Sequence, residues 1–169
     1  MIGHSRSIAA EAGIAIGLTS LVVGLQSVCN GLGRIAIGAL FDRCGSTTAM
    51  LVDAGFFSLS CLLMLIALKT TLPVLAFAGL LLIGFSYGGM PTLTSSVTAD
   101  CFGSKHYGSN FSVANMSMLP ASFGATIVGA IQTGSGTYAS AFILFLVDAA
   151  AIILLDIIFR QVSTKLKTK

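Results

Sequence analysis

Five long apolar runs divide the chain, at about residues 12–41, 49–68, 72–99, 111–131 and 138–159. Each reaches the ~20 residues that a helix needs to cross hydrocarbon, and none alternates with the period of two that marks a half-buried strand. Polar and charged residues collect in the short connections DRCGSTT, KTTLP, DCFGSKHYGSN and QTGSGTY. A lone strand in lipid would leave backbone groups unpaired, and a barrel would need short alternating segments. The pattern therefore predicts an all-α, multi-pass transmembrane bundle of about five spanning helices, with one domain covering 1–169 and a tail at 160–169. Pro73 falls in the first turn of the third helix, where a missing N–H is harmless. Pro91 and Pro120 fall inside helices and predict kinks that neighbouring helices can absorb.

Composition agrees with lipid as the solvent: 55% of residues are hydrophobic and 9% charged, and the mean hydropathy is +0.95. A water-soluble domain of this length could not hide so much apolar surface. The net charge of +3 forms no basic stripe along a helix, so nucleic acid is not an expected partner. It reads instead as orientation. Arg43, Lys105, Arg160, Lys165, Lys167 and Lys169 fall on one side of the expected membrane and Arg6 and Lys69 on the other, which puts the C-terminus in the cytoplasm and the N-terminus outside a cell membrane. The opening MIGHSRSIAAEAG lacks the shape of a cleavable signal, so the first apolar run is expected to serve as its own anchor.

The chemistry-bearing residues are few. Cys29, Cys44, Cys61 and Cys101 lack both the spacing of a zinc site and the density of a disulfide scaffold. His4 and His106 sit in loops without ligand partners, so neither a metal nor a cofactor is expected. No nucleophile, base and orienting group fall together, which argues against an enzyme. No Gly-x-x-x-x-Gly-Lys loop is present either, so energy for any transport would come from a gradient rather than ATP.

Within the first run, Gln26, Asn30 and Arg34 are spaced by four and share one helix face. An arginine in a spanning helix costs a few kcal/mol on insertion scales. Either it reaches the cytoplasmic surface or pairs with Asp42, or the stripe faces a water-filled cavity where Arg34 binds an anion through charge-assisted hydrogen bonds. Gly17, Gly24, Gly31 and Gly38 recur every seventh residue beside this stripe and predict a close-packed seam. Tyr87, between Gly84 and Gly88, is a candidate to turn its hydroxyl into the same cavity or simply to pack. Asp148, near the middle of the fifth run, is expected to be neutral, paired or facing water, and is a candidate proton-coupling group. Asp53 and Asp156 are expected to be structurally paired, the latter with Arg160 one turn on.

The segment GALFDRCG, from Gly38 to Gly45, resembles the Gly-x-x-x-Asp-Arg-x-Gly loop motif of the major facilitator superfamily. NGLGRIAIGALFDRCG as a whole resembles the eighth of twelve helices in its oxalate/formate antiporter and monocarboxylate transporter branches. GFSYGGMPTLTSSVTADCFG is similar to the tenth helix and its exit, and GSKHYGSNFS to the loop into the eleventh. The order matches along nearly the whole chain. Two departures stand out: Ser46 replaces the basic residue that usually follows the motif, and FSVANMSMLPASFG carries no lysine, with Asn115 and Met118 on the faces where one would be expected.

The resemblance implies an alternating-access secondary transporter of two six-helix halves, of which this chain supplies helices eight to twelve. Arg34 then matches a carboxylate-binding arginine, with Asn30, Gln26, Tyr87 and Asn115 around it, and Gly38, Asp42, Arg43 and Gly45 form a conformational latch. A single arginine fits a small organic anion with one negative group, a monocarboxylate, better than a dianion. The expected partners are that anion, the lipid bilayer, and a missing N-terminal half or another membrane subunit. A non-transporting membrane scaffold and an inactive truncated product remain open as alternatives.

Overall fold

The computed structural model describes residues 4–167, and these are almost wholly helical. A short α1 (Ser5–Glu11) leads into three long helices, α2 (Ile16–Cys44), α3 (Ser46–Thr70) and α4 (Pro73–Phe102). Three shorter helices follow, α5 (Tyr107–Asn115), α6 (Met118–Ser122) and α7 (Gly124–Ser135), before the long α8 (Ala139–Lys167). Among the described residues, four helices are long and apolar enough to cross a membrane: 17–44, 46–70, 73–102 and 139–158.

The expected fourth span is the one that differs. The chain at 111–131 is not one helix but the end of α5, then α6, then most of α7. Position 120 is proline, which has no N–H to return to the carbonyl of residue 116. The Met116 carbonyl is taken instead by the Leu119 N–H at 3.0 Å, a tighter turn. The hydroxyls of Ser117 and Ser122 donate to the carbonyls of Ala114 and Leu119. Local hydrogen bonding of this kind competes with a regular helix. By contrast α4 continues as one helix through Pro91 and packs on both α2 and α3. Pro73 opens α4 at its first turn.

The turns rest on glycine where only glycine fits. Gly45 ends α2 and begins α3 with φ +81° and ψ 171°, and Gly103 ends α4 with φ +68° and ψ 177°. A side chain at either position would meet its own backbone.

The interface between α2 and α4 corrects the expected seam. A Cβ on Gly33 would overlap the Phe85 carbonyl, and one on Gly88 would overlap the Asn30 carbonyl. A Cβ on Gly84 would lie 2.5 Å from the Gln26 carbonyl oxygen. The backbones of the two helices therefore touch through Gly33, Gly84 and Gly88, with no room for a methyl group. The seven-residue row behaves otherwise. Gly17, Gly24 and Gly31 have nothing within 4 Å of where a Cβ would stand, and only Gly38 meets a neighbour, the Thr92 methyl at 3.3 Å. A glycine row at the right period is not enough; the facing helix must also present a flat strip, and α4 presents its own opposite Gly33.

The opening segment is more ordered than the pattern of the chain suggests. Helix α1 buries Ile8 and Ala9 and is tied across one end of the bundle. Glu11 accepts hydrogen bonds from the Thr137 hydroxyl and, at 3.0 Å, from the Tyr138 N–H. Arg6 donates to the Ser20 hydroxyl at 2.9 Å, and His4 bridges the Tyr138 hydroxyl and the Ala125 carbonyl. Beneath it lies the main core, with Val22, Met64, Leu80 and Phe142 all nearly fully buried. The opposite end of the bundle is less tightly filled.

Candidate functional site

Arg34 stands on α2 with its side chain exposed. It makes no hydrogen bond or ion pair among the described residues. Ten residues separate it from Cys44, the last residue of α2, a distance of about 15 Å along the axis. Asp42, also exposed, is eight residues on, about 12 Å, and does not pair with it. An unpaired guanidinium this far inside an apolar helix needs water or an anion to meet it.

The other members of the expected stripe do not share its surroundings. Gln26 is 2% exposed, and neither its amide nitrogen nor its amide oxygen has a hydrogen-bond partner among the described residues. Its Cγ folds against Gly84 of α4, so the side chain is shut into the α2/α4 seam. Asn30 is half-buried at the edge of that seam. Four-residue spacing places the three residues on one face, but each step of four also advances 40° around the helix. That drift carries Arg34 out of the contact that encloses Gln26.

Tyr87 belongs to a different space. A cavity of about 540 Å³ opens between α3, α4, α5 and α8, and Tyr87 lines it with Met50, Asp53, Phe57 and Phe145 among others. The glycines beside Tyr87 serve the α2 contact on the other side of α4. Asn115 is half-buried at the end of α5 and does not line this cavity, although its neighbour Ala114 does. Asp148 lies on the exposed side of α8. Asp42, Arg43 and Gly45 are together at the α2/α3 turn, with both charged side chains exposed.

Two residues assigned to structural pairing prove more informative. Asp53 and Asp156 are each 5% exposed, and both line the cavity. One oxygen of each carboxyl group, Oδ1 of Asp53 and Oδ2 of Asp156, is buried without a hydrogen-bond partner among the described residues. The side chain of Arg160, the expected partner of Asp156, lies outside the described residues. The Ser86 hydroxyl donates to the Asp53 backbone carbonyl at 3.3 Å. Gly89 leaves the room that Asp53 occupies, since a Cβ there would lie 2.7 Å from Oδ1. A pattern signal did exist: Met50, Asp53 and Phe57 are spaced by three and four, as are Ile152 and Asp156, so each carboxylate sits in an apolar stripe rather than on a polar face. No group of three or more His, Cys, Asp or Glu side chains that could hold a metal ion is found among the described residues.

These helices turn large apolar side chains outward, Ile35 at 73% exposure and Val74 at 78% among them. Together with the four spans, that surface defines a multi-pass membrane protein whose outer solvent is lipid. The family model of the Major Facilitator Superfamily matches residues 4–169. The chain belongs to that superfamily, which is a family of membrane transporters and not of enzymes. No characterised protein and no solved structure gives a significant match.

Proposed function

We propose that this chain is part of a secondary transporter that moves a small organic anion, a monocarboxylate, across the cell membrane by alternating access, with Arg34 meeting the anion's charge. The observation that carries the reading is an exposed guanidinium, about 15 Å from the end of its helix, with no protein partner among the described residues. A monocarboxylate supplies one negative charge and two acceptor oxygens, which a guanidinium binds through two parallel N–H···O bonds.

On this reading the chain corresponds to helices eight to twelve, and its branch is that of the oxalate/formate antiporters and monocarboxylate transporters. The exposed side of α2 that carries Arg34 then faces the transport pathway. An N-terminal half or another membrane subunit supplies the opposite wall, as alternating access between two bundles requires. Asp42, Arg43 and the Gly45 turn act as the cytoplasmic latch, the C-terminus is cytoplasmic, and the coupling is exchange or symport down a gradient. Asn30, beside Arg34, offers the anion a second polar contact.

Proteoliposomes prepared from membranes that express the chain test this with a panel of labelled small carboxylates. Arg34→Gln should abolish uptake at unchanged membrane abundance, while Arg34→Lys, which keeps the charge but loses the bidentate fork, should retain a fraction of it. Uptake unaffected by Arg34→Gln would refute the role given to Arg34, and no uptake above protein-free vesicles by the unaltered chain would leave the non-transporting scaffold reading in place.

A further inference from the structure

The cavity between α3, α4, α5 and α8 is unlike the surroundings of Arg34 in position and in charge. Among the described residues, none of α2 lines it, and neither does any lysine, arginine or histidine. Its walls are apolar and aromatic, from Phe57, Ile83, Phe145 and Ile152, with the Tyr87 hydroxyl and the hydroxyls of Thr94 and Thr98 as minor polar features. The two threonines already donate to their own helix, to the Met90 and Thr94 carbonyls. Asp53 and Asp156 contribute the buried cavity oxygens that have no hydrogen-bond donor among the described residues.

A buried carboxylate oxygen with no donor is costly, and the cost falls when a positively charged donor arrives. Two such oxygens on one apolar cavity specify the ligand's chemistry: several N–H donors on a cation, joined to an apolar body. The aromatic rings add favourable faces for a cation. The volume of about 540 Å³ is that of a pocket for a drug-sized molecule.

We propose that this cavity binds an amphipathic organic ammonium ion, whose N–H groups donate to the free carboxylate oxygens of Asp53 and Asp156 while its apolar body lies against Phe57, Ile83, Phe145 and Ile152. The site is independent of anion transport through Arg34 and stands if that reading falls. Gly89 is part of it, because only an absent Cβ lets the Asp53 carboxylate sit against α4. A primary ammonium carries N–H donors enough for both carboxylates, whereas a quaternary ammonium brings the charge without the donors.

The test uses three probes with one body and different heads: 4-phenylbutylamine, 4-phenylbutanol and 4-phenylbutyrate. Their binding to the purified full chain in detergent is measured by calorimetry and by ligand-induced thermal shift. The amine should bind roughly tenfold or more tightly than the alcohol, with the acid weakest, as expected for hydrogen bonds to charged groups. Asp53→Asn should remove about tenfold of amine affinity and leave the alcohol unchanged, which also shows that the cavity is still formed. Asp156→Asn should act in the same direction, and Arg34→Gln should change neither. Equal binding of amine and alcohol by the unaltered protein would overturn the proposal without recourse to any variant. So would amine binding indifferent to Asp53→Asn, or amine binding lost in Arg34→Gln, which would place the ligand elsewhere.

Discussion

Gly31 and Gly33 stand two residues apart on α2, and a methyl group added to each should have opposite consequences. At Gly33 the new Cβ would overlap the Phe85 carbonyl oxygen and lie 2.9 Å from its carbon and 3.2 Å from Phe85 Cα. Carbon atoms in good contact are about 3.5–4.0 Å apart, so α2 and α4 would have to separate by roughly 0.6 Å or more. A gap of about 0.5–1 Å forfeits a quarter to a half of each pairwise attraction along the seam. Lipid provides no hydrophobic compensation, because helix association there rests on close packing itself. Gly33→Ala should therefore cost roughly 1–3 kcal/mol, the range for overpacking, and could exceed it because backbone rather than a flexible side chain must move. At Gly31 nothing lies within 4 Å of the new methyl group, and Gly31→Ala should fall within about 0.5 kcal/mol of neutral. Thermal unfolding of both variants in the same detergent, followed by helical circular dichroism, makes the comparison. If Gly31→Ala destabilised as much as Gly33→Ala, the seven-residue row would be the seam after all and the α2/α4 interface described above would be wrong.

Three further outcomes are expected. Gly45→Ala, at φ +81° and ψ 171°, should cost about 1–3 kcal/mol from backbone strain alone, measurable in the same unfolding assay, whereas Gly134→Ala, in open space, should not. Cys44 and Cys101 are exposed and Cys61 is fully buried, so a membrane-impermeant thiol reagent should modify the first two and spare the third. It should do so only from the cytoplasmic face, and modification from outside would reverse the proposed orientation. Glu11→Ala removes the acceptor of the Thr137 hydroxyl and Tyr138 N–H and should cost about 1–3 kcal/mol, as for partly buried donors left unmatched. Protection of the α8 start against amide exchange should fall with it, and unaltered protection would show that α1 is not what holds that end.

The order of apolar and polar residues is enough to set the solvent and the class of structure. Apolar length is a local property, summed residue by residue as a transfer free energy, and a hydrocarbon slab admits few backbone solutions. The helices, the Pro73 start and the glycine turn after Arg43 follow from that arithmetic and from φ/ψ sterics. Even the break near Pro120 shows in the sequence as a proline between Ser117 and Ser122, although the pattern by itself predicts only a kink within one span.

Which face of each helix meets which neighbour was decided only by tertiary structure. A glycine row at period seven is a necessary condition for close approach, and Gly17, Gly24 and Gly31 satisfy it, yet α4 seats against Gly33 because shape complementarity is a property of two surfaces together. The same holds for the polar residues. Gln26 and Arg34 share a sequence spacing but not an environment, since the edge of the α4 contact falls between them. Asp53 and Asp156 lie over a hundred residues apart along the chain, and nothing in either segment says that they share a cavity. That follows from the packing of α3 against both α4 and α8, which turns two carboxylates in separate apolar stripes into one acidic lining.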